Sequence, residues 1–157
     1  MTSARQSAGL LVHRTRDGAL EVFLVHPGGP FWKNKDAGAW SIPKGEFDAS
    51  EEPLAAARRE FEEETGSAVD GPFHALTPCK QKGGKVVHAF AVRADIDAAA
   101  IRSNTFEAEW PPRSGQYRTF PEVDRAAWFT IEEAALRINP AQRALLEELR
   151  RIVTPRA

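Results

Sequence analysis

The chain has 157 residues, 42% hydrophobic and 27% charged, with a formal net charge of −1. That composition is ordinary for a globular protein, fits a single domain over 1–157, and gives no electrostatic basis for binding nucleic-acid polymers or membranes. The lone Cys79 excludes an internal disulfide framework and a cysteine zinc cluster. No apolar run approaches about 18 residues and none marks the N-terminus, so the expectation is a cytoplasmic protein, monomeric or homodimeric.

In chain order, residues 7–14 alternate loosely and predict a strand, Asp17-Gly18 a turn, and residues 20–25 the hairpin partner. The glycine- and proline-rich stretch 27–39 is a loop, 40–43 a short strand, and 44–51 a second loop. Pro53 suits the first turn of a helix that Gly66 closes. Leu54, Ala57 and Phe61 form its apolar stripe, which turns Glu60, Glu63 and Glu64 largely away from the core. Strands are predicted at 73–80 and 85–94 around Gly83-Gly84, and again at 123–130. Residues 106–110 are read as extended, with Glu107 and Glu109 on one face. Helices are predicted at 131–138 and 140–153. The outcome is an α/β fold, a mixed sheet with helices packed on it.

One segment carries the chemistry. Glu60, Glu62, Glu63 and Glu64 follow Arg58 and Arg59 directly. On a helix Glu60 faces Glu63 at i+3 and Glu64 at i+4, so three carboxylates crowd one face, at a cost of about 0.2–0.5 kcal/mol per pair. A hard divalent cation with oxygen ligands would offset that repulsion. The alternative is a solvated acidic face balanced by the arginines.

The spacing is Gly45, five residues, Glu51, seven residues, then Arg59-Glu60-Phe61-Glu62-Glu63-Glu64-Thr65-Gly66. It resembles the Nudix box, the signature of hydrolases acting on nucleoside diphosphates linked to another group. Ser67, where the pattern has an aliphatic residue, is the single departure, and Ala68 and Val69 follow it at once. The resemblance implies a Nudix-type α/β/α sandwich with a loop–helix–loop catalytic motif. It also implies Mg²⁺-dependent hydrolysis of a pyrophosphate bond in a small nucleotide substrate, with Mn²⁺ as an alternative ion. Glu60, Glu63 and Glu64 would hold the metal with a backbone carbonyl at or beside Gly45. Arg59 would orient Glu63 or Glu51, and the glutamate that activates water is left open. Glu62 is read as solvated surface, and Glu51 also suits a helix N-terminus on dipole grounds alone.

Outside the box, Trp40-Ser41-Ile42-Pro43-Lys44-Gly45 is similar to the entry segment of Nudix diadenosine polyphosphate hydrolases and some nucleoside triphosphate cleaners. Lys44 would then hold a phosphate beyond the one attacked. In the loop before it, Phe31 or Trp32 would stack on a base while Lys33 and Lys35 meet phosphates; packing back onto the sheet is the alternative. Glu109, with Glu107, is a candidate further base or ligand, or else a solvated pair on an edge strand. His13, His26, His74 and His88 have no metal-ligand spacing, and Trp110 and Tyr117 are read as stacking or packing aromatics. A dinucleoside polyphosphate or a nucleoside triphosphate is the expected substrate. Diphosphoinositol polyphosphates, 8-oxo-dGTP, ADP-ribose and a non-catalytic nucleotide-binding module are the alternatives.

Overall fold

The computed structural model describes residues 5–153. Strands β1 (Gln6–Arg16) and β2 (Ala19–Pro27) form the hairpin around Asp17-Gly18, paired Arg16↔Ala19 through His13↔Val22. Strand β3 is Lys44–Phe47, helix α1 is Pro53–Thr65, and β4 (Phe73–Ala75), β5 (Cys79–Lys80) and β6 (Val86–Arg93) follow. After β7 (Thr105–Glu109) and β8 (Tyr117–Pro121) come β9 (Val123–Thr130), α2 (Ile131–Arg137) and α3 (Arg143–Val153). Seven strands make one mixed sheet in the order β4-β6-β1-β2-β9, with β3 also on β1 and β5 also on β6. Among the described strands β1 and β6 pair in parallel, from Gln6↔Val86 to His13↔Arg93, and the other pairings are antiparallel.

Successive side chains of a strand point to opposite faces, and here both faces are covered. Ala8, Leu10 and Val12 pack with Phe23 and Val25 against Ala56, Ala57 and Phe61 of α1. Leu11, Val22 and Leu24 pack on the other side with Trp40, Ile42 and the apolar faces of α2 and α3. Helices thus flank the sheet in an α/β/α sandwich. Among the described residues no helix is long and apolar enough to cross a membrane.

The hairpin strands splay apart beyond His13↔Val22, and the segment 41–47 fills the gap. Ser41 exchanges both backbone hydrogen bonds with Val25, at 2.9 and 3.0 Å, and the Leu10 amide donates to the Pro43 carbonyl at 3.2 Å. From there β3 takes up the first residues of β1, Gln6↔Phe47 to Gly9↔Lys44. This wedge carries Lys44 and Gly45 between the two strands and under α1.

Several predicted boundaries move for identifiable reasons. Residues 40–43 make only isolated bridges at Trp40 and Ser41, because the segment turns there from β2 to β1, and the predicted loop after it opens as β3. The stretch 73–80 splits into β4 and β5: the Thr77 amide turns to the Glu148 carboxylate at 2.8 Å and Pro78 has no N–H to give. The last helix starts with a 3₁₀ turn, Pro140–Gln142, whose Ala141 amide donates to Asn139 Oδ1 at 3.0 Å. Residues 105–109 have a partner strand, β8, that the sequence analysis did not assign. This hairpin stands off the main sheet, with Phe106 and Phe120 paired across it at 6.0 Å. At its base the Asn104 amide donates to the Glu63 carbonyl and the Glu122 amide to the Asn104 carbonyl, each at 2.9 Å.

Gln142 is fully buried; its Oε1 accepts from the Ile42 amide at 3.1 Å and its Nε2 donates to Ser41 Oγ at 3.0 Å. Gln142→Leu keeps the volume but strands the Ile42 N–H without an acceptor. The expected loss is about 1–3 kcal/mol of unfolding free energy, read from denaturant titration.

Candidate active site

Helix α1 begins at Pro53 after an extended Glu52 that makes no side-chain cap, and ends at Gly66, whose φ of 76° is the left-handed conformation glycine takes most readily. Its last turn carries Glu62, Glu63 and Glu64 and no basic residue, although the helix dipole already places negative charge there. Arg59 is the local counter-charge. Its Nε and Nη2 grip both oxygens of Glu51 at 2.8 and 2.9 Å, while Nη1 donates to Glu60 at 2.8 Å and to Glu63 at 3.3 Å. These bonds, Glu51's first, hold the guanidinium still more firmly protonated than usual. Arg59 therefore orients both carboxylates the sequence offered and Glu60 as well.

A cavity of about 390 Å³ opens beside this turn, lined by Glu60, Glu63, Glu64 and Glu122 together with Lys44 and Lys85. Gly45 brings the wedge into contact with the helix: a Cβ there would lie 2.0 Å from the Glu60 carboxyl. Glu64, read from its sequence position as facing away from the core, is in fact buried at 9% exposure. Burial, then the charges of Glu60 and Glu122, push its carboxyl up to about 8. Burial likewise raises Glu60, against the pull of Arg59, and raises Glu122 with help from Glu63. Lys44 moves the other way, lowered by burial and by Lys85 while Glu64 offsets part of the effect.

The donor set suits a hard divalent cation: oxygen only, with several carboxylates on one wall whose proton affinities are raised first by burial. Among the described residues no three His, Cys, Asp or Glu side chains stand in ligating geometry. The reason is visible in the contacts, since Glu60 and Glu63 are turned onto Arg59. Ion binding would require these carboxylates to exchange the guanidinium for the cation.

A second cavity, of about 240 Å³, adjoins the first and shares Lys44, Glu64 and Glu122 with it. Val25, Trp32, Ile42 and Val123 make its apolar wall, and Ser41, Asn139 and Gln142 its polar one. Of the loop residues singled out by sequence, Trp32 lines this space. Phe31 is 66% exposed, the Lys35 amine sits 3.7 Å over the Phe31 ring, and Lys33 is exposed; these three line neither cavity. Glu109 is also elsewhere: its carboxylate accepts from the Arg113 and Gly115 amides at 2.9 and 3.2 Å and closes the hairpin tip. Glu107 is exposed, opposite Thr119. The further carboxylate at the cavity is Glu122, at the junction of β8 and β9. Sequence reading missed it because a single glutamate between two strands has no periodic signal; its one cue was its place directly before a predicted strand.

The NUDIX domain model matches residues 4–149 of the chain. An RNA pyrophosphohydrolase of Mesorhizobium japonicum (strain LMG 29417 / CECT 9101 / MAFF 303099) is 32% identical over 126 residues, covering 70% of this chain and 67% of that protein. A putative mRNA-decapping protein of Acanthamoeba polyphaga mimivirus is 32% identical over 129 residues, 77% of this chain, which spans only 31% of that much longer relative. In structure, a C. elegans Ap4A hydrolase binary complex superposes with a TM-score of 0.65 at 21% identity, covering 96% of this chain and 98% of that one.

Two outcomes follow from the geometry. Gly45→Ala drives a methyl into the Glu60 carboxyl, so kcat should fall by at least about tenfold while the melting temperature moves little. In metal-free buffer, folded Glu64 keeps a proton up to about pH 8 that the unfolded chain releases around 4.5. Stability should therefore decline as pH rises through that window, and Glu64→Gln should flatten the decline in thermal melts run with EDTA.

Proposed function

The chain belongs to the Nudix family of pyrophosphohydrolases, which cleave pyrophosphate bonds in nucleotide-linked substrates, and on that premise we propose that it hydrolyses a dinucleoside polyphosphate or a nucleoside triphosphate in the cytoplasm, with Mg²⁺ or alternatively Mn²⁺. The observation that carries this reading is the junction of the two cavities. A carboxylate-lined chamber and a half-apolar one share Lys44, so a phosphate chain can cross from one to the other with a nucleoside seated in the second. Two lysines, Lys44 and Lys85, repel each other across the first cavity, and a polyphosphate threaded between them relieves that repulsion.

Nudix hydrolases generally use divalent metal ions; Glu60, Glu63 and Glu64 with the Gly45 carbonyl would hold the ion, which when bound neutralises phosphate oxygens and acidifies bound water. Arg59, anchored on Glu51, keeps Glu60 and Glu63 aligned along the cavity wall. Lys44 grips the phosphate next to the one attacked. Glu122 takes the part that sequence reading offered to Glu109, accepting the proton of the attacking water; its raised proton affinity brings it nearer to the operating pH, as a general base requires. Trp32 stacks on the base. Diphosphoinositol polyphosphates would leave that aromatic wall without a ring to meet.

Glu60→Gln and Glu64→Gln should each lower kcat by orders of magnitude with the fold retained, while Glu62→Gln, on exposed surface, should change little. Glu122→Gln should cost about 10²–10⁴-fold in kcat and flatten one limb of the pH–rate profile; full activity would return Glu122 to a structural role. The substrate itself is tested by a Mg²⁺ panel of diadenosine tetraphosphate, nucleoside triphosphates, ADP-ribose, 8-oxo-dGTP, a diphosphoinositol polyphosphate and a 5′-triphosphorylated oligoribonucleotide, with ¹⁸O-labelled water marking the phosphorus attacked. Preference for diadenosine tetraphosphate or a triphosphate, weakened by Lys44→Ala, supports the proposal. A far higher kcat/KM on any other arm overturns the substrate while leaving the family intact.

A further inference from the structure

The loop that brings Trp32 to the second cavity is tied down from below by two buried side chains, Trp40, whose Nε1–H goes to Asp36, and His26. His26, near the end of β2, has no exposed surface. Its Nε2 lies 2.6 Å from the Lys35 carbonyl oxygen, inside the loop, and its Nδ1 lies 2.8 Å from Asp124 Oδ1 on β9. A carbonyl and a carboxylate both accept hydrogen bonds, so both ring nitrogens have to donate. A neutral imidazole carries one N–H; whichever nitrogen held it, the other, itself buried, would turn a lone pair onto an oxygen. The closed bridge thus contains one proton more than a neutral ring beside a carboxylate.

The surroundings are consistent with that count. Asp124 is the acid in direct contact with the ring, and Arg125 Nε stands 3.9 Å from the same Oδ1. Trp40 from the wedge packs on the imidazole at 5.2 Å, its Nε1–H donated to Asp36, which is itself paired with Arg137 of α2. The Lys35 ammonium is directed away, over Phe31 and Trp32. From the bridge the chain leads straight to the site: Val123, one residue before Asp124, and Trp32, three before Lys35, both line the second cavity.

We propose that His26 is a positioning residue for substrate: its imidazolium, clamped between Asp124 and the Lys35 carbonyl, holds the loop where Trp32 forms the nucleoside wall. Loss of the ring or of its Asp124 partner frees the loop, weakening capture of the nucleoside without touching the groups that act on the phosphate. This rests on the substrate-binding part given above to Trp32. A structural role alone would ask only that the site be filled and paired, and one substitution separates the two. In Asp124→Asn the amide can turn its N–H₂ to Nδ1 while Nε2–H still donates to Lys35, which completes the bridge around a neutral ring.

The test follows imidazole ¹⁵N resonances and the Trp32 indole N–H by NMR, with KM and kcat on whichever arm of the panel is turned over. In the parent protein both His26 nitrogens should be found protonated in the folded state. Asp124→Asn should keep a parent-like KM on a singly protonated ring. His26→Phe and Asp124→Ala should raise KM by about tenfold, with kcat within about threefold of the parent. A ring carrying one proton in the parent, or a parent-like KM in His26→Phe and Asp124→Ala, overturns the proposal. Should His26→Phe fail to fold, the Asn and Ala variants at 124 decide it. The NMR readouts need no turnover, so a failed bridge is distinguishable from a mistaken substrate.

Discussion

Negative charge gathered on the last turn of α1, where the helix's own dipole is already negative, is the condition that everything around it answers. Arg59 meets part of it from within the helix, reaching back to Glu51 and forward to Glu60 and Glu63. Lys44 and Lys85 meet another part from the wedge and from the turn before β6. Glu64 is left buried with its proton affinity raised, a local instability that the rest of the fold sustains. Residues that destabilise a fold while lining a charged cavity are where function concentrates.

The splayed hairpin makes that concentration usable. Were β1 and β2 paired along their whole length, the sheet would close and no strand could run beneath α1. Because they part beyond His13↔Val22, residues 41–47 enter the sheet, and the charged cavity and the half-apolar one come to lie on the two sides of Lys44. Gln142 fastens the wedge from the helical layer opposite, so the site is braced through the whole thickness of the sandwich. His26 fastens the loop that precedes it. Backbone hydrogen bonds set the floor, and side-chain bonds from distant elements set the walls.

How much of this could be read in the chain itself depends on the range of the interaction. Helix α1, its Pro53 start and its Gly66 stop are local, and the glutamate spacing reveals the carboxylate wall without any structure. The burial of Glu64 is not local: it depends on the wedge passing beneath, and the apolar stripe of Leu54, Ala57 and Phe61 gave no hint of it. Glu109 attracted attention because it alternates with Glu107 on an extended segment. Its partner groups, the Arg113 and Gly115 amides, are made by a turn whose second strand was not recognised. Glu122 and His26 escaped for the same reason. Each gains its meaning from residues close in space and far in sequence: Glu122 from Glu60, Glu63 and Glu64, His26 from Asp124.

The β7–β8 hairpin hangs from the rim of the carboxylate-lined cavity by its two feet, Asn104 and Glu122, and shares no strand with the main sheet. Its far end is held by its own glutamate rather than by the body of the protein. Such an arm is modular. Its residues 105–121 line neither cavity, so shortening it, lengthening it or exchanging its tip leaves the geometry of the carboxylate wall below unchanged.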